Sequence, residues 1–123
     1  MTNNKTSVTF LIQGEPASKS NSRQLVTIRG RPAFIKSKKA RDYAASFERQ
    51  APQLKPLIED DVVVEMTIYY ASRRPDLDES VILDAMQGKI YANDRQVKRK
   101  IINWGLDREN PRSEIKVSRK NTH

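Results

Sequence analysis

The stretch DVVVEMTIYYAS, Asp61 to Ser72, constrains the fold most. It is rich in β-branched residues and is the strongest strand candidate in the chain. RRPDLD follows, and then ESVILDAMQG reads as a short helix. Asp78 can cap the start of that helix and Gly88 can end it. The helix is then about nine residues, some 13 Å long. A strand succeeded so closely by a helix points to a mixed α and β domain.

The flanking segments fit the same plan. SVTFLIQG alternates, ends in Gly14 and reads as a strand, followed by the polar, basic loop EPASKSNSRQ. QLVTI and AFI are two short extended pieces around a turn containing Gly30. In KKARDYAASFERQAP, Ala40, Tyr43, Ala44 and Phe47 recur at helical spacing. Ser37 is its expected N-cap and Pro52 its stop. VKRKIINWGL alternates and reads as a strand, and SEIKVS as a last short one. The expected fold class is α+β: a small single domain over 1–123, with a mixed β-sheet covered by two helices. Flexibility is expected only at the termini, residues 1–6 and 119–123.

The charge is uneven. The chain has 123 residues and a formal net charge of +8. From Ala17 to Arg41 there are eight basic residues and no acidic ones. RQVKRK, Arg95 to Lys100, adds four in six. Such a distribution favours a polyanion, and nucleic acid is the usual one. The bland alternative is a basic surface kept for solubility. There is no cysteine, so disulfides, thiolate nucleophiles and cysteine-bound zinc are excluded. The only histidine is His123, the last residue, which argues against a histidine base or histidine-ligated metal. No apolar run approaches a membrane span and no signal peptide or lipidation motif is evident, so the expected location is the cytoplasm, with no membrane partner.

Against this background five carboxylates fall between Asp76 and Asp94: Asp76, Asp78, Glu79, Asp84 and Asp94. Residues two apart share a side on an extended chain but sit about 200° apart on a helix. Asp76 and Asp78 therefore pair only if DLD lies at the strand exit, before the helix begins. Pro75 and the capping role of Asp78 favour that placement. A short helix and a turn could then bring Asp94 back toward the helix start. Three carboxylates without histidine suit a hard, oxygen-loving ion, Mg²⁺ or Mn²⁺. Beside a phosphodiester such an ion activates water and stabilises the leaving oxygen. The structural alternative is an aspartate favoured at a helix N-terminus and a turn aspartate at position 94.

RPDLD followed by LDAMQGKIYANDRQV resembles the core motif of the RusA-type Holliday-junction resolvases. In that family R-P-D-L-D-N leads into a helix ending in D-A-L-N-G, then an aromatic residue and D-D-x-Q-[IV]. VTFLIQGEPASKSNSR is similar to the family's opening strand and basic loop, SKKARDYAASF to its first helix, and PRSEIKV to its closing strand. The resemblance runs from about Val8 to Val117. It implies a two-fold homodimer without a small-molecule cofactor. It further implies paired symmetric nicks in four-way DNA junctions with Mg²⁺, or Mn²⁺ in its place, in DNA recombination and repair. Small resolvases of this type are often carried by phages and prophages. The family's catalytic and metal-binding acids fall on Asp76, Asp78 and Asp94, with Asp84 as possible support. Lys19 matches the lysine of its basic loop. Arg23, Arg29, Arg31, Lys36, Lys38, Lys39, Arg95 and Lys98 are the further DNA-binding candidates from the charge pattern.

The sequence also departs from that motif. Six residues separate Asp78 from Asp84 where eight are usual, and no lysine lies between them. Glu79 replaces an asparagine, and Asn93 the first acid of D-D. Losing two residues turns the remaining helix by about 200°. The helix is then either shortened at its start or rotated. Lys89 and Arg73 are candidates to replace the missing lysine. A rival reading is a catalytically impaired junction-binding or nucleic-acid-binding protein of the same fold. A transferase on a small phosphorylated substrate is disfavoured, because only four glycines are present and none forms a glycine-rich loop. Trp104 and the Tyr69–Tyr70 pair are expected in the core or a dimer interface.

Overall fold

The computed structural model describes residues 7–17 and 23–120. They form β1 (Ser7–Gln13), β2 (Arg23–Ile28), β3 (Arg31–Lys36), α1 (Lys38–Gln50), β4 (Val62–Tyr70), α2 (Ser80–Met86), β5 (Val97–Leu106) and β6 (Arg112–Arg119). A 3-10 turn at Asp94–Gln96 precedes β5. The main sheet has the order β1-β6-β4-β5, and β2 and β3 form a separate antiparallel hairpin. Its neighbours are antiparallel except β4 and β5, which run parallel. The expected small α+β domain with a mixed sheet and two helices is therefore present.

A parallel pair needs a long crossover, because the chain must return to the same end of the sheet. Here the crossover runs from residue 71 to 96 and contains α2 and the 3-10 turn. All five carboxylates from Asp76 to Asp94 ride on it.

The core follows from two periodicities. Along β4, Val62, Val64, Met66, Ile68 and Tyr70 are buried and the residues between them are more open. That is the period of two of a strand covered on one face. Helix α1 covers it with Ala40, Tyr43 and Phe47, and Ala44 lies at the margin of the contact. Ser37 Oγ accepts from the Ala40 amide at 3.1 Å, so it caps α1 as its sequence indicates. Phe47 meets Phe10 of β1 edge to face. Helix α2 adds Val81, Ile82 and Met86 to the same core. The other sheet face has no helix among the described residues. Its Gly105 is required by a close approach: an added Cβ would stand 2.6 Å from Tyr69 Cδ1. The Arg112 guanidinium covers that tyrosine ring, 4.0 Å from its centroid.

Two details of α2 differ from the sequence-based expectation. Helix α2 has seven residues rather than about nine, and its N-cap is Glu79, not Asp78. Asp78 acts one residue earlier, its Oδ1 accepting from the Ser80 amide at 3.0 Å. Gly88 ends the segment with φ +82, as its position indicates. At the C-terminus, Arg119 closes β6 and pairs with Asp60 at 3.0 Å, and the Lys120 amide donates to Asp61 O. These two residues are tied to the chain just before β4. The expectation of flexibility at 1–6 and 121–123 concerns residues outside those described.

Candidate active site

Asp76 and Asp78 lie where β4 leaves the sheet, before α2, in a segment without regular structure. That is the placement their spacing requires. Tyr70, the last residue of β4, fixes the segment. Its hydroxyl donates to the Asp76 carbonyl at 3.2 Å and accepts from the Asp78 amide at 3.3 Å. The Asp76 residue is exposed, while Asp78 is only 7% exposed and folded against the start of α2. Trp104 of β5 stacks on the Tyr70 ring, centroids 6.1 Å apart, and its indole Nε1 points to Pro75 O at 3.4 Å. Glu79 pairs with Lys100 of β5 at 2.6 Å, and Glu15 accepts from the Ala71 amide at 2.7 Å. The loop is thus pinned from β1, β4 and β5. Burial first, and then the charges of Asp78, Glu15 and Glu79, push the Tyr70 phenol up, against the lowering effect of the Asp78 amide. The hydroxyl therefore keeps its proton and remains a donor to Asp76 O.

Asp84 and Asp94 sit further along the crossover. Gln87 joins them: its Nε2 donates to Asp84 Oδ1 at 3.1 Å and its Oε1 accepts from the Asp94 amide at 2.9 Å. Burial, then the Asp94 and Asp84 charges, raise the Tyr91 phenol, whose hydroxyl donates to Leu83 O. The 3-10 turn that presents Asp94 is capped by Asn93, which accepts from the Arg95 amide at 2.8 Å. Asn93, standing where the family has an acid, is here a capping residue. Gln96 closes the other side. Its Oε1 accepts from the Ala92 and Asn93 amides, and its Nε2 donates to the carbonyls of Ile58 and Asp60.

A cleft of about 460 Å³ separates the β2–β3 hairpin from α2. Asp84, Asp94 and Ser80 line one side of it, and Arg23, Phe34 and Lys36 the other. Asp78 stands next to it through its bond to the Ser80 amide. Lys36 reaches across to Asp84 at 3.0 Å, both side chains about half exposed. Arg29 and Arg31 are exposed at the hairpin turn. Lys38 pairs with Asp42 at 2.8 Å and Lys39 with Glu15 at 3.5 Å. Those two lysines face a separate depression beside α1. Arg95 and Lys98 are exposed around the start of β5. Lys19 lies outside the described residues. Lys89 does not replace the missing helix lysine. It is buried, and its ammonium donates to Glu48 O in the last turns of α1 at 2.8 Å, where a cation suits the helix end. Arg73 is exposed on the loop after β4. Two cations from elsewhere in the fold meet crossover acids: Lys36 at Asp84 and Lys100 at Glu79.

By donor type, Asp76, Asp78 and Asp94 fit a hard divalent ion, being all oxygen. Among the described residues, however, no three acidic or histidine side chains converge as a ready-made metal group. In the chain, Asp76 and Asp78 precede α2 and Asp94 follows it. In space, Asp94 shares the cleft with Ser80 and Val81 of the first turn of α2.

Two comparisons bear on identity. The sequence model for the endodeoxyribonuclease RusA family matches residues 13–118, from the end of β1 into β6. That defines the class: an endodeoxyribonuclease domain, with the acidic crossover and the basic hairpin both inside the matched span. The chain belongs to the RusA family. No individually curated protein matches it. No helix among the described residues is long and apolar enough to cross a membrane.

Sequence reasoning missed Tyr70, Gln87 and Glu15, each of which shapes the acidic segment through contacts distant in the chain. Only Tyr70 carried a hint, as a polar aromatic closing the otherwise apolar face of a strand six residues before Asp76. Gln96 was legible as part of the D-x-Q motif but not as the bond that holds the turn.

Proposed function

We propose that the protein is a Mg²⁺-dependent, structure-specific endodeoxyribonuclease that resolves four-way junctions by paired symmetric nicks, working as a two-fold homodimer. The observation that carries the reading is the family match over 13–118, taken with the Asp76–Asp78 segment tethered at the exit of β4. Asp76, Asp78 and Asp94 are the proposed metal and catalytic acids, with Asp84 in support. A bound divalent ion would lower the pKa of an attacking water and neutralise phosphate charge. The chain's own part is to hold these acids and to bring the backbone to them. Tyr70 holds the segment bearing Asp76 and Asp78, and Gln87 and Gln96 hold the turn bearing Asp94. Arg23, Arg29, Arg31, Lys36, Lys38, Lys39, Arg95 and Lys98 supply affinity for phosphates without sequence information. Two copies related by a two-fold axis would address opposing strands, as paired nicks require. β4 is interior to the sheet, so it has no free edge to pair across a dimer, and only its outer face is available for packing.

A second reading is a junction-binding protein with impaired cutting. The observation favouring it is that no three acids converge among the described residues. Incubation with a labelled synthetic four-way junction, with linear duplex as control, in Mg²⁺, Mn²⁺ or EDTA separates the two. The nuclease reading expects symmetric, metal-dependent nicks in the junction only, abolished by Asp76→Asn without loss of binding. Tight binding with no cutting in either metal supports the second reading. Normal cutting by Asp76→Asn removes that residue from the mechanism.

A further inference from the structure

The hairpin β2–β3 has two unlike faces. Direct cross-strand pairs are Arg23 with Lys36, Leu25 with Phe34 and Thr27 with Pro32. Partners directly opposite project to the same side of a two-stranded ribbon. One face therefore carries a cationic pair and, two residues along, an apolar pair. Phe34 is 71% exposed and Leu25 60%, the two most exposed large apolar side chains among the described residues. Burying a phenylalanine is worth a great deal to a small domain, and this one packs against nothing that would bury it. An exposed apolar pair rimmed by charge is available to a partner that offers both an apolar face and an anion.

The cleft below supplies the second half of the argument. Phe34 and the cationic pair form one wall, and Asp84 and Asp94 the opposite one. A phosphate is attracted to the hairpin wall and repelled by the acidic one. A neutral, flat group is accepted by the aromatic wall. Two residues along a strand span about 6.6 Å, the scale on which a nucleotide sets its base apart from its phosphate. The Lys36–Asp84 contact is a half-exposed ion pair, the weakest kind, and exchanges readily for a stronger anion. Arg23 has no carboxylate partner among the described residues.

We propose that this cleft receives one unpaired nucleobase of the DNA substrate, stacked on Phe34 beside Leu25, with the adjoining phosphate held by Arg23 and Lys36. The inference rests on the DNA-acting reading above and goes beyond it. It names the part of the substrate that must be unpaired and the side chain that receives it. A base in an intact duplex is stacked on both faces and cannot enter. The cleft would then favour branch points, where a base is least costly to unstack. Stacking is indifferent to base identity, because every base has a π-face, so the pocket adds structure selectivity and not sequence selectivity.

The test uses the full chain in EDTA and a series of four-way junctions, each with a single 2-aminopurine at a different position next to the branch point. Wild-type protein is expected to brighten at least one position, as the base leaves its neighbours for a phenylalanine, which quenches little. Phe34→Ala is expected to lose most of that increase and to bind the junction about 5- to 100-fold more weakly. Phe34→Trp should retain binding. Ile28→Ala, an exposed apolar residue on the opposite face of the hairpin, should behave as wild type. Because Phe34 is exposed, Phe34→Ala should melt as wild type does, which a circular dichroism scan checks. Three results overturn the inference: no position brightens, Phe34→Ala binds and brightens like wild type, or Phe34→Ala converts a dimer to a monomer, which would make the face an interface between copies. If wild-type protein does not bind the junction at all, the DNA-acting reading falls as well. If it binds but the Phe34 variants are silent, only this inference falls.

Discussion

Tyr70→Phe tests the tether of the acidic segment. The substitution keeps the buried ring and its stacking on Trp104 and removes one oxygen. That oxygen makes two bonds to the segment, to Asp76 O at 3.2 Å and from the Asp78 amide at 3.3 Å. Both are at the long end of the hydrogen-bond range, so each contributes about 0.5–1 kcal/mol net. The two sites do not respond alike. Asp76 is exposed and its carbonyl can turn to water. Asp78 is buried, and its amide loses its partner, at a cost of about 1–3 kcal/mol. The expected destabilisation is therefore about 1–3 kcal/mol, read as a fall of roughly 3–10 °C in Tm. The effect on cutting should be larger in proportion, because a displacement of about 1 Å in a reacting group costs up to about 10²-fold in rate. Under the proposed function, kcat for a four-way junction should fall by about 10- to 100-fold. Junction binding should hardly change, since the basic residues lie elsewhere. Single-turnover cleavage beside a binding titration separates the two quantities. A Tyr70→Phe protein within about 0.3 kcal/mol of wild type that cuts at the wild-type rate would refute the tether.

Further consequences can be checked by denaturation. Gln96→Ala removes four side-chain bonds that tie the Asp94 turn to residues 58–60, and should cost about 2–4 kcal/mol in urea unfolding and loosen Asp94; a loss below about 0.5 kcal/mol would show the turn is held otherwise. Gly105→Ala drives a methyl into the Tyr69 ring, and unless the ring moves aside it should cost about 1–3 kcal/mol, with an unchanged Tm as the contrary result. The hydroxyls of Tyr43 and Ser113 are buried with no aligned hydrogen-bond partner among the described residues, so Tyr43→Phe should leave stability at neutral pH equal or improved. Burial pushes the Tyr43 phenol up to about 12, the nearby Ser113 hydroxyl offsetting part of that rise. Because the folded pKa is raised, the contribution is complete below about pH 10 and is lost as pH climbs from 10 to 12, on the order of 2–3 kcal/mol. Alkaline unfolding should thus steepen above pH 10 in wild type and be shallower in Tyr43→Phe, a comparison readable by fluorescence.

The sequence by itself determined whatever depends on neighbours along the chain. Ala40, Tyr43 and Phe47 recur at helical spacing, and Ser37 precedes them with an oxygen for the free amides, so α1 and its cap follow directly. The β-branched run after Asp61 could only be a strand. The short distance from that strand to α2, with Pro75 between, kept Asp76 and Asp78 outside the helix. Their chemistry, carboxylate oxygens with no histidine or cysteine beside them, was fixed by composition alone.

The tertiary structure decided which segments meet. A period of two tells which side of a strand is buried but not which strand lies beside it, so the interior place of β4 and its parallel pairing with β5 were not legible. Nor was the tether, since Tyr70 of β4, Trp104 and Lys100 of β5, and Glu15 just after β1 reach the acidic segment from three places in the chain. The missing helix lysine shows the difference most plainly. Lys89 is close in sequence to Asp84, yet the turn after α2 carries it under α1 to Glu48. Lys36 is 48 residues away from Asp84 and sits 3.0 Å from it. Where a charge ends up depends on how the crossover and the hairpin pack, and no local pattern in the chain encodes that.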